Sequence, residues 1–396
     1  MVYEIKKVLC NKVIAVSVIV AFCYGIVTSY YDYISGKMGG NDVDMSYESE
    51  YEGCKGKYTE DKYNHLAELV SEKESYYSEN PEDKDAFMVF QKYQDLFSRA
   101  SIYHQVNEYR EKVKSDAKRL ADTEKGYYER LNKKLVKLYG KKTAFNIHEG
   151  TTGKDITDMF IVSERIDMVY IALLIIFSCG IFLLEHRNGT YAMVYSSYNG
   201  RGYTYIRKMA VSLGFAVLVS VLQTISMVGL TFIKGGAFEW KDPIQSIELF
   251  MHSPYNLDIF GMVVIITLFR ALAYMVLISI FTVISLFFQR NLFPLAINIL
   301  VGLGMFGLCY LYSGSFLSYS GSIIQQGRFY LYLRQYSPYV LIGDGVGYLK
   351  KYEALDIFGY PVSAVSITVL VNIIVLAVCV AVGYILYLKR FRKRGV

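Results

Sequence analysis

The sequence lacks the residue combinations that perform chemistry. Its five histidines are scattered outside the apolar runs, and it contains neither an H-E-x-x-H motif nor an acidic pair within such a run. Metalloprotease and intramembrane protease chemistry therefore has no residues to support it. Gly150, Gly153 and Lys154 lack the spacing of a phosphate-binding loop. We predict that the chain is not an enzyme and binds no cofactor itself.

Cysteine is scarce outside the apolar runs. Of the six cysteines, Cys54 stands alone in the long polar segment 32–165. That segment cannot close a disulfide on itself, so we expect packing to hold it together. A disulfide from Cys54 to Cys309 or to a second subunit stays open as a minor alternative.

Apolar residues, by contrast, make up 53% of the 396 residues. A helix needs roughly 20 apolar residues to cross the hydrocarbon core of a membrane. Six runs reach about that length, at 13–31, 166–184, 209–233, 260–288, 292–313 and 364–388. The fold class predicted from them is an all-α integral membrane protein with six transmembrane helices and a mostly helical extracytoplasmic domain between the first two.

Lysine and arginine predict the orientation of these spans. They are denser in the loops on the same side as the N-terminus than in the loops on the other side. The positive-inside rule therefore places the N-terminus and these loops in the cytoplasm. Residues 1–12 are then a cytoplasmic amphipathic segment, and residues 389–396 are a basic cytoplasmic tail. The net charge of +6 is a signal of topology and gives no reason to expect nucleic acid as a partner.

The outer segment 32–165 is expected to be irregular up to Glu60 and helical beyond it. Pro81 and the acidic residues after it resemble a helix start, and Gly140 ends the run after Tyr139. Two apolar stripes suggest helices packed as a hairpin or stalk; their members are Phe87, Phe90 and Phe97, and then Val106, Val113, Leu120 and Tyr127. The outer loop 314–363 is expected to contain broken helices that cap the bundle.

Few polar residues interrupt the spans. Arg270 is a full charge well inside the fourth run, where it either lines a translocation path or gate or pairs structurally with a carbonyl or an outer acid. Asn298 and Asn372 are further candidates for the path, although hydrogen bonding between helices is the favoured interpretation. Gly302, Gly304 and Gly307 indicate close helix packing.

The segment 185–208 is the longest polar interruption in the apolar half of the chain. Glu185 leaves the second span, Gly189-Thr190 follows, a short amphipathic stretch runs from Tyr191 to Tyr198, and Gly200-Arg201 precedes Lys208. This pattern, with one span, a large outer segment and five further spans, resembles the ABC-2 type permeases, the membrane subunits of ABC exporters.

The resemblance implies a permease subunit of an ATP-driven exporter in a bacterial cytoplasmic membrane. A separate ABC ATP-binding subunit would bind ATP and Mg, and the permease would work as a homodimer or with a second permease. The residues implied to contact the ATP-binding subunit are Glu185, Gly189, Thr190, Tyr191, Val194, Tyr195, Tyr198, Gly200, Arg201 and Lys208. The alternative is a membrane-anchored sensor or immunity protein whose outer domain binds a peptide or lipid without transport.

Overall fold

The computed structural model describes residues 11–37, 49–141, 143–148, 152–161, 163–187, 200–234, 239–288, 292–311, 336–343 and 345–392. The described chain is mostly helical, as predicted. In chain order the helices are α1 (Lys12–Lys37), α2 (Ser49–Cys54), α3 (Glu60–Glu79), α4 (Lys84–Thr123), α5 (Tyr127–Tyr139), α6 (Thr152–Ile161), α7 (Glu164–Arg187), α8 (Gly200–Lys234), α9 (Ile259–Phe287), α10 (Leu292–Ile299), α11 (Met305–Leu311), α12 (Pro338–Gly343), α13 (Gly347–Lys350) and α14 (Ala364–Arg392).

Two short antiparallel sheets accompany the helices. Strand β1 (Gly56–Lys57) pairs with β2 (Asn146–Ile147), and β3 (Ala354–Ile357) pairs with β4 (Tyr360–Ser363). The short helices α12 and α13 agree with the prediction of broken helices in 314–363, whereas the hairpin β3–β4 in the same loop was not predicted. Phe358 and Gly359 form its turn with positive φ angles of 51° and 80°, a conformation that glycine adopts without a steric penalty.

Four helices of the described chain are long and apolar enough to cross a membrane, over Lys12–Tyr31, Gly202–Gly229, Ile259–Phe287 and Ala364–Lys389. They overlap four of the six predicted spans. The predicted span 166–184 falls in α7, which begins with three charged residues in its first four. The predicted span 292–313 falls in α10 and α11, where the apolar stretch is the shorter Phe293–Leu308. These two stay predictions as membrane spans.

The start of α1 and the end of α14 lie at the same end of the apolar bundle. Gly180, near the end of α7, faces Ile14 at the start of α1. Tyr205, near the start of α8, packs against Tyr384 and Tyr387 near the end of α14. The polar helices α3, α4 and α5 are associated with the opposite end, which we call the outer end. This arrangement agrees with a topology in which both termini share one side of a membrane.

The polar unit has its own small core, built mainly from aromatic and aliphatic side chains. Its fully buried members include Tyr51, Leu66, Tyr93, Leu96, Tyr103, Val106 and Ile147. Cys54 is a free buried thiol in this core, and burial raises its pKa. Packing rather than a disulfide therefore holds the segment, as its cysteine content predicts.

The helix boundaries of the polar unit were predicted better than its buried face. Asp83 caps α4 through Asp85 N–H at 3.0 Å, close to the predicted helix start. However, α4 buries Tyr93, Ala100 and Tyr103, whereas Phe87 and Leu120 of the predicted stripes are exposed. The predicted run also breaks before α5 at Gly126, where φ is +72°. Val106 and Phe97 of the predicted stripes do contribute to the core, so the stripes were right in part. The buried face changes along α4 because this long helix packs against different neighbours along its length.

Close helix packing is confirmed at one of the three predicted glycines. A Cβ at Gly302 would lie 2.8 Å from Ile175 Cδ1 and 2.9 Å from Phe281 Cζ, so a larger residue here would have to displace the ends of these two side chains, which belong to α7 and α9. At Gly304 the nearest atom belongs to its own helix, and at Gly307 no described atom lies within 4 Å. Residues Leu300–Gly304 form a π-helical turn that places Gly302 against both helices.

We expect Gly302→Val to lower the unfolding free energy by about 1–3 kcal/mol, because the added methyl groups overpack the contact with Ile175 and Phe281. Gly307→Val is the matched control, since it makes the same change where no described atom is close. Thermal unfolding of both purified variants in detergent measures the difference. Equal losses in the two variants would contradict the packing assigned to Gly302.

Candidate functional site: a buried ion pair in the helix bundle

Arg270 is fully buried in α9, toward the outer end of the bundle. Its Nη2 donates to Ser163 Oγ at 2.7 Å and lies 3.5 Å from Asp167 Oδ1. Its Nε donates to the carbonyl oxygen of Ile342 at 3.3 Å, and its guanidinium lies over the ring of Phe160. Arg270 thus has both partners that the structural interpretation requires, an acid and a carbonyl.

Asp167 extends the pair into a network of polar side chains. It is fully buried in α7 and accepts hydrogen bonds from Ser163 Oγ at 2.8 Å and from Gln223 Nε2 at 2.5 Å. Gln223 Oε1 in turn accepts from the hydroxyl of Tyr274 at 2.5 Å. A carboxylate only accepts, so this orientation of the Gln223 amide is the one that satisfies both neighbours. The network joins α7, α8 and α9.

The network constrains the helices because each charge is costly without the other. Removing one partner of a buried ion pair typically costs about 3–5 kcal/mol, since the remaining charge stays in an apolar environment. The three helices can therefore move together, or the pair must be exchanged for other polar contacts. Among the described residues no group of three His, Cys, Asp or Glu side chains could hold a metal ion.

The network was only partly predictable. The position of Arg270 inside an apolar run signals a partner, but its partners Asp167, Gln223 and Tyr274 were missed. Asp167 lies at the boundary of the predicted span 166–184, where an acidic residue is normally interpreted as part of the polar segment that precedes a membrane helix. Gln223 lies in the middle of the predicted span 209–233, and a search for polar residues at mid-span would have found it.

Asn298 and Asn372 lie in other hydrogen-bond groups. Asn298 Nδ2 donates to the Phe281 carbonyl at 3.3 Å and to Ser285 Oγ at 3.2 Å, which ties α10 to α9. Asn372 Nδ2 donates to the carbonyl oxygens of Tyr336 and Thr368 at 3.1 and 2.9 Å. Both side chains are buried, so the favoured interpretation of bonding to neighbouring backbone and helices is confirmed. In the described part of the chain, the hydrogen-bond partners of the two asparagines differ from those of Arg270, and a role of the three residues in a path stays a prediction.

Most residues implied to contact an ATP-binding subunit fall outside the described part of the chain. These are Gly189, Thr190, Tyr191, Val194, Tyr195 and Tyr198. Glu185 belongs to α7, and Gly200 and Arg201 begin α8. The predicted loop 185–208 therefore needs a correction at both ends, because helix continues to Arg187 and resumes at Gly200.

Lys208 occupies a place that its predicted contact role does not explain. It is fully buried, and its Nζ donates to the carbonyl oxygen of Ile181 in α7 at 3.2 Å. An ammonium enclosed in this way binds the neighbouring helix. One turn earlier, the hydroxyl of Tyr205 donates to the carbonyl oxygen of Val380 in α14 at 2.9 Å. The start of α8 is thus tied to two helices beside residues 188–199.

A second polar contact region joins the polar unit, made of α2 to α5 with β1 and β2 and called the outer unit from here on, to the loop between α8 and α9. His148 Nε2 forms a short hydrogen bond with Asp242 Oδ2, and Tyr139 donates through its hydroxyl to the His252 carbonyl at 2.9 Å. The hairpin β3–β4 adds a third connection, since Arg130 Nη1 donates to the Gly359 carbonyl at 3.0 Å. The outer unit is therefore bonded to both outer loops that follow α8 and α11.

Buried tyrosines in this region stay protonated at neutral pH. Burial raises the pKa of Tyr139, and burial with the nearby Asp242 carboxylate raises the pKa of Tyr103. Tyr103 donates to the Asn146 carbonyl at 3.0 Å. A raised folded-state pKa contributes stability that is fully present below the unfolded value of about 10 and is lost as the pH rises through the folded value. These bonds consequently persist throughout the physiological range.

The chain matches no protein-family model, no curated protein and no solved structure.

We expect Arg270→Met to lower the unfolding free energy by about 3 kcal/mol, because Asp167 then remains as a buried charge without its cation. The double variant Arg270→Met with Asp167→Leu should recover part of that loss. Thermal and denaturant unfolding of the purified variants measures this coupling. Lys133→Met, which breaks an exposed pair with Glu129, is the control and should change little. Additive losses in the double variant would contradict the coupling of the pair.

Proposed function

We propose that the chain is the permease subunit of a bacterial ABC exporter, and that it couples to a separate ATP-binding subunit through the segment between α7 and α8. The observation that carries this proposal is the attachment of that segment. Residues 188–199 connect two long helices at the bundle end where α1 begins and α14 ends, and Lys208 and Tyr205 tie the following helix to α7 and α14. A force applied there would reach three helices at once.

The buried ion pair supports the same function from the other end of the bundle. Because Arg270, Asp167 and Gln223 join α7, α8 and α9, a displacement that starts at residues 188–199 would be carried along these helices to the outer end. In the proposed mechanism the partner binds ATP and Mg, its closure shifts the segment, and the helices rearrange as a group. Access to a substrate path would then alternate between the two sides.

A second permease copy, identical or related, completes the proposed assembly. Helices α1 and α14 bury few of their residues within the described chain and expose large apolar side chains, including Ile19 and Val20 on α1 and Ile373 and Ile374 on α14. Such surfaces suit lipid or a neighbouring membrane helix. Two permease chains would present two coupling segments to two ATP-binding subunits.

The sensor or immunity function has one supporting observation of its own. The outer unit is bonded to both outer loops through His148, Tyr139 and Arg130, so binding of a peptide or lipid outside could be relayed to the helices without any ATPase. This alternative predicts that the chain is isolated without a nucleotide-binding partner.

Purification of the tagged full chain from its own membrane under mild extraction tests the two functions. We expect a stoichiometric ATP-binding protein, identified by mass spectrometry, and ATP hydrolysis by the purified complex. A chain that travels without any nucleotide-binding protein, in several detergents and in native nanodiscs, would overturn the exporter proposal and favour the sensor or immunity function.

We further expect Tyr195→Asp with Arg201→Glu to reduce recovery of that partner by about tenfold or more, because interface anchors of these residue types dominate binding energy. The matched control is Tyr128→Asp with Arg119→Glu, which makes the same charge changes at exposed residues of the outer unit. Quantitative mass spectrometry of the isolated complexes measures the partner, and thermal unfolding verifies the fold. Equal recovery from both double variants would contradict the coupling role of residues 185–208.

A further inference from the structure

A cavity of about 340 Å³ lies at the outer end of the bundle. It is bounded by the end of α5, by the loop residues before α9, and by the first turns of α14. Its volume falls within the range of small-molecule pockets in proteins. The ion-pair network around Arg270 contributes no residue to its lining.

Most of the side chains that line the cavity are apolar. They include Ile265 and Phe269 of α9 and Val365 of α14. Phe269 lies ten residues beyond Ile259, the start of α9, which corresponds to about 15 Å along the helix axis. The cavity therefore lies beside the first three turns of a helix that is long and apolar enough to cross a membrane.

The lining of the cavity contains one positive charge. Lys141 is exposed, and its backbone carbonyl accepts a hydrogen bond from Arg110 Nη2 at 2.7 Å, which fixes the start of the side chain. No other charged residue belongs to the described lining of the cavity. Lys141 is thus the charge that a ligand in this cavity would meet.

From this geometry we propose that the cavity binds one acyl chain of an anionic amphiphile, with its head group at Lys141 and its chain along Ile265, Phe269 and Val365. The apolar lining favours a hydrocarbon chain, because the burial of each methylene group contributes about 0.8 kcal/mol to the binding free energy. The lysine selects a carboxylate or phosphate head over a zwitterionic one. A membrane phospholipid and a free fatty acid both have this chemistry. The site requires no ATPase partner and stands independently of the exporter proposal.

Photo-crosslinking in nanodiscs tests the site with the full chain in a bilayer. The host bilayer is phosphatidylcholine and contains a trace of one probe lipid with a diazirine in one acyl chain. The probe is phosphatidylglycerol in one sample and phosphatidylcholine in the other. Mass spectrometry of the peptides locates the adducts. We expect adducts at residues 265–269 and 365–366 to be about three- to fivefold more frequent with the anionic lipid. A diazirine fatty acid added from outside distinguishes a diffusible amphiphile from a membrane lipid.

Two substitutions and one matched control separate binding from general contact with lipid. Lys141→Gln should remove the preference for the anionic lipid, whereas Lys137→Gln, one turn earlier on an exposed position, should preserve it. Val365→Trp should fill the cavity and reduce adducts there by about tenfold, while adducts at the exposed Ile373 and Ile374 stay unchanged. Lys141 is exposed, so its variant keeps the test valid if Val365→Trp fails to fold.

Three results would overturn the proposal. The first is the absence of adducts in the cavity with every probe. The second is equal labelling of the cavity by anionic and zwitterionic lipid in the unchanged chain. The third is labelling of the cavity that Lys141→Gln leaves unaltered. Preferential labelling by phospholipid or by fatty acid alone supports the site and identifies the source of its ligand.

Discussion

The burial of Arg270 against Asp167 is the constraint on which the helix bundle depends. Neither charge can remain in an apolar interior without the other, so α7 and α9 have to keep their relative position. Gln223 and Tyr274 satisfy the rest of the carboxylate and bring α8 into the same arrangement. The outer half of the bundle is consequently a single polar-bonded unit, and a rearrangement of any one of these helices involves all three.

The two ends of the bundle are connected to this unit by different means. At one end, Lys208 and Tyr205 bind the start of α8 to α7 and α14, next to the segment that we propose as the coupling site. At the other end, His148 and Tyr139 bind the outer unit to the loop before α9. The loop that the outer unit binds continues directly into α9, which carries Arg270, so the chain itself connects the outer unit to the ion pair.

The sequence predicted the features that depend on composition and missed those that depend on contact between distant residues. Apolar run length located the four helices able to cross a membrane, and the isolated charge of Arg270 identified a site that needs a partner. Asp167 was missed because an acid at the edge of an apolar run resembles a flanking residue until the fold brings it to the arginine. The apolar stripes predicted on α4 match its buried face only in part, and the hairpin β3–β4 was missed. Neighbouring elements determine both features, and the order of residues does not reveal those neighbours.

Site-specific photo-crosslinking in the native host tests the central claim most directly. A photoreactive amino acid at Tyr195 in the coupling segment is compared with the same residue at Phe358, the fully exposed tip of the outer hairpin. The account predicts an adduct between position 195 and an ATP-binding protein that forms with nucleotide present, and no such adduct from position 358. The absence of a nucleotide-binding protein at position 195, or its appearance at position 358, would contradict the account.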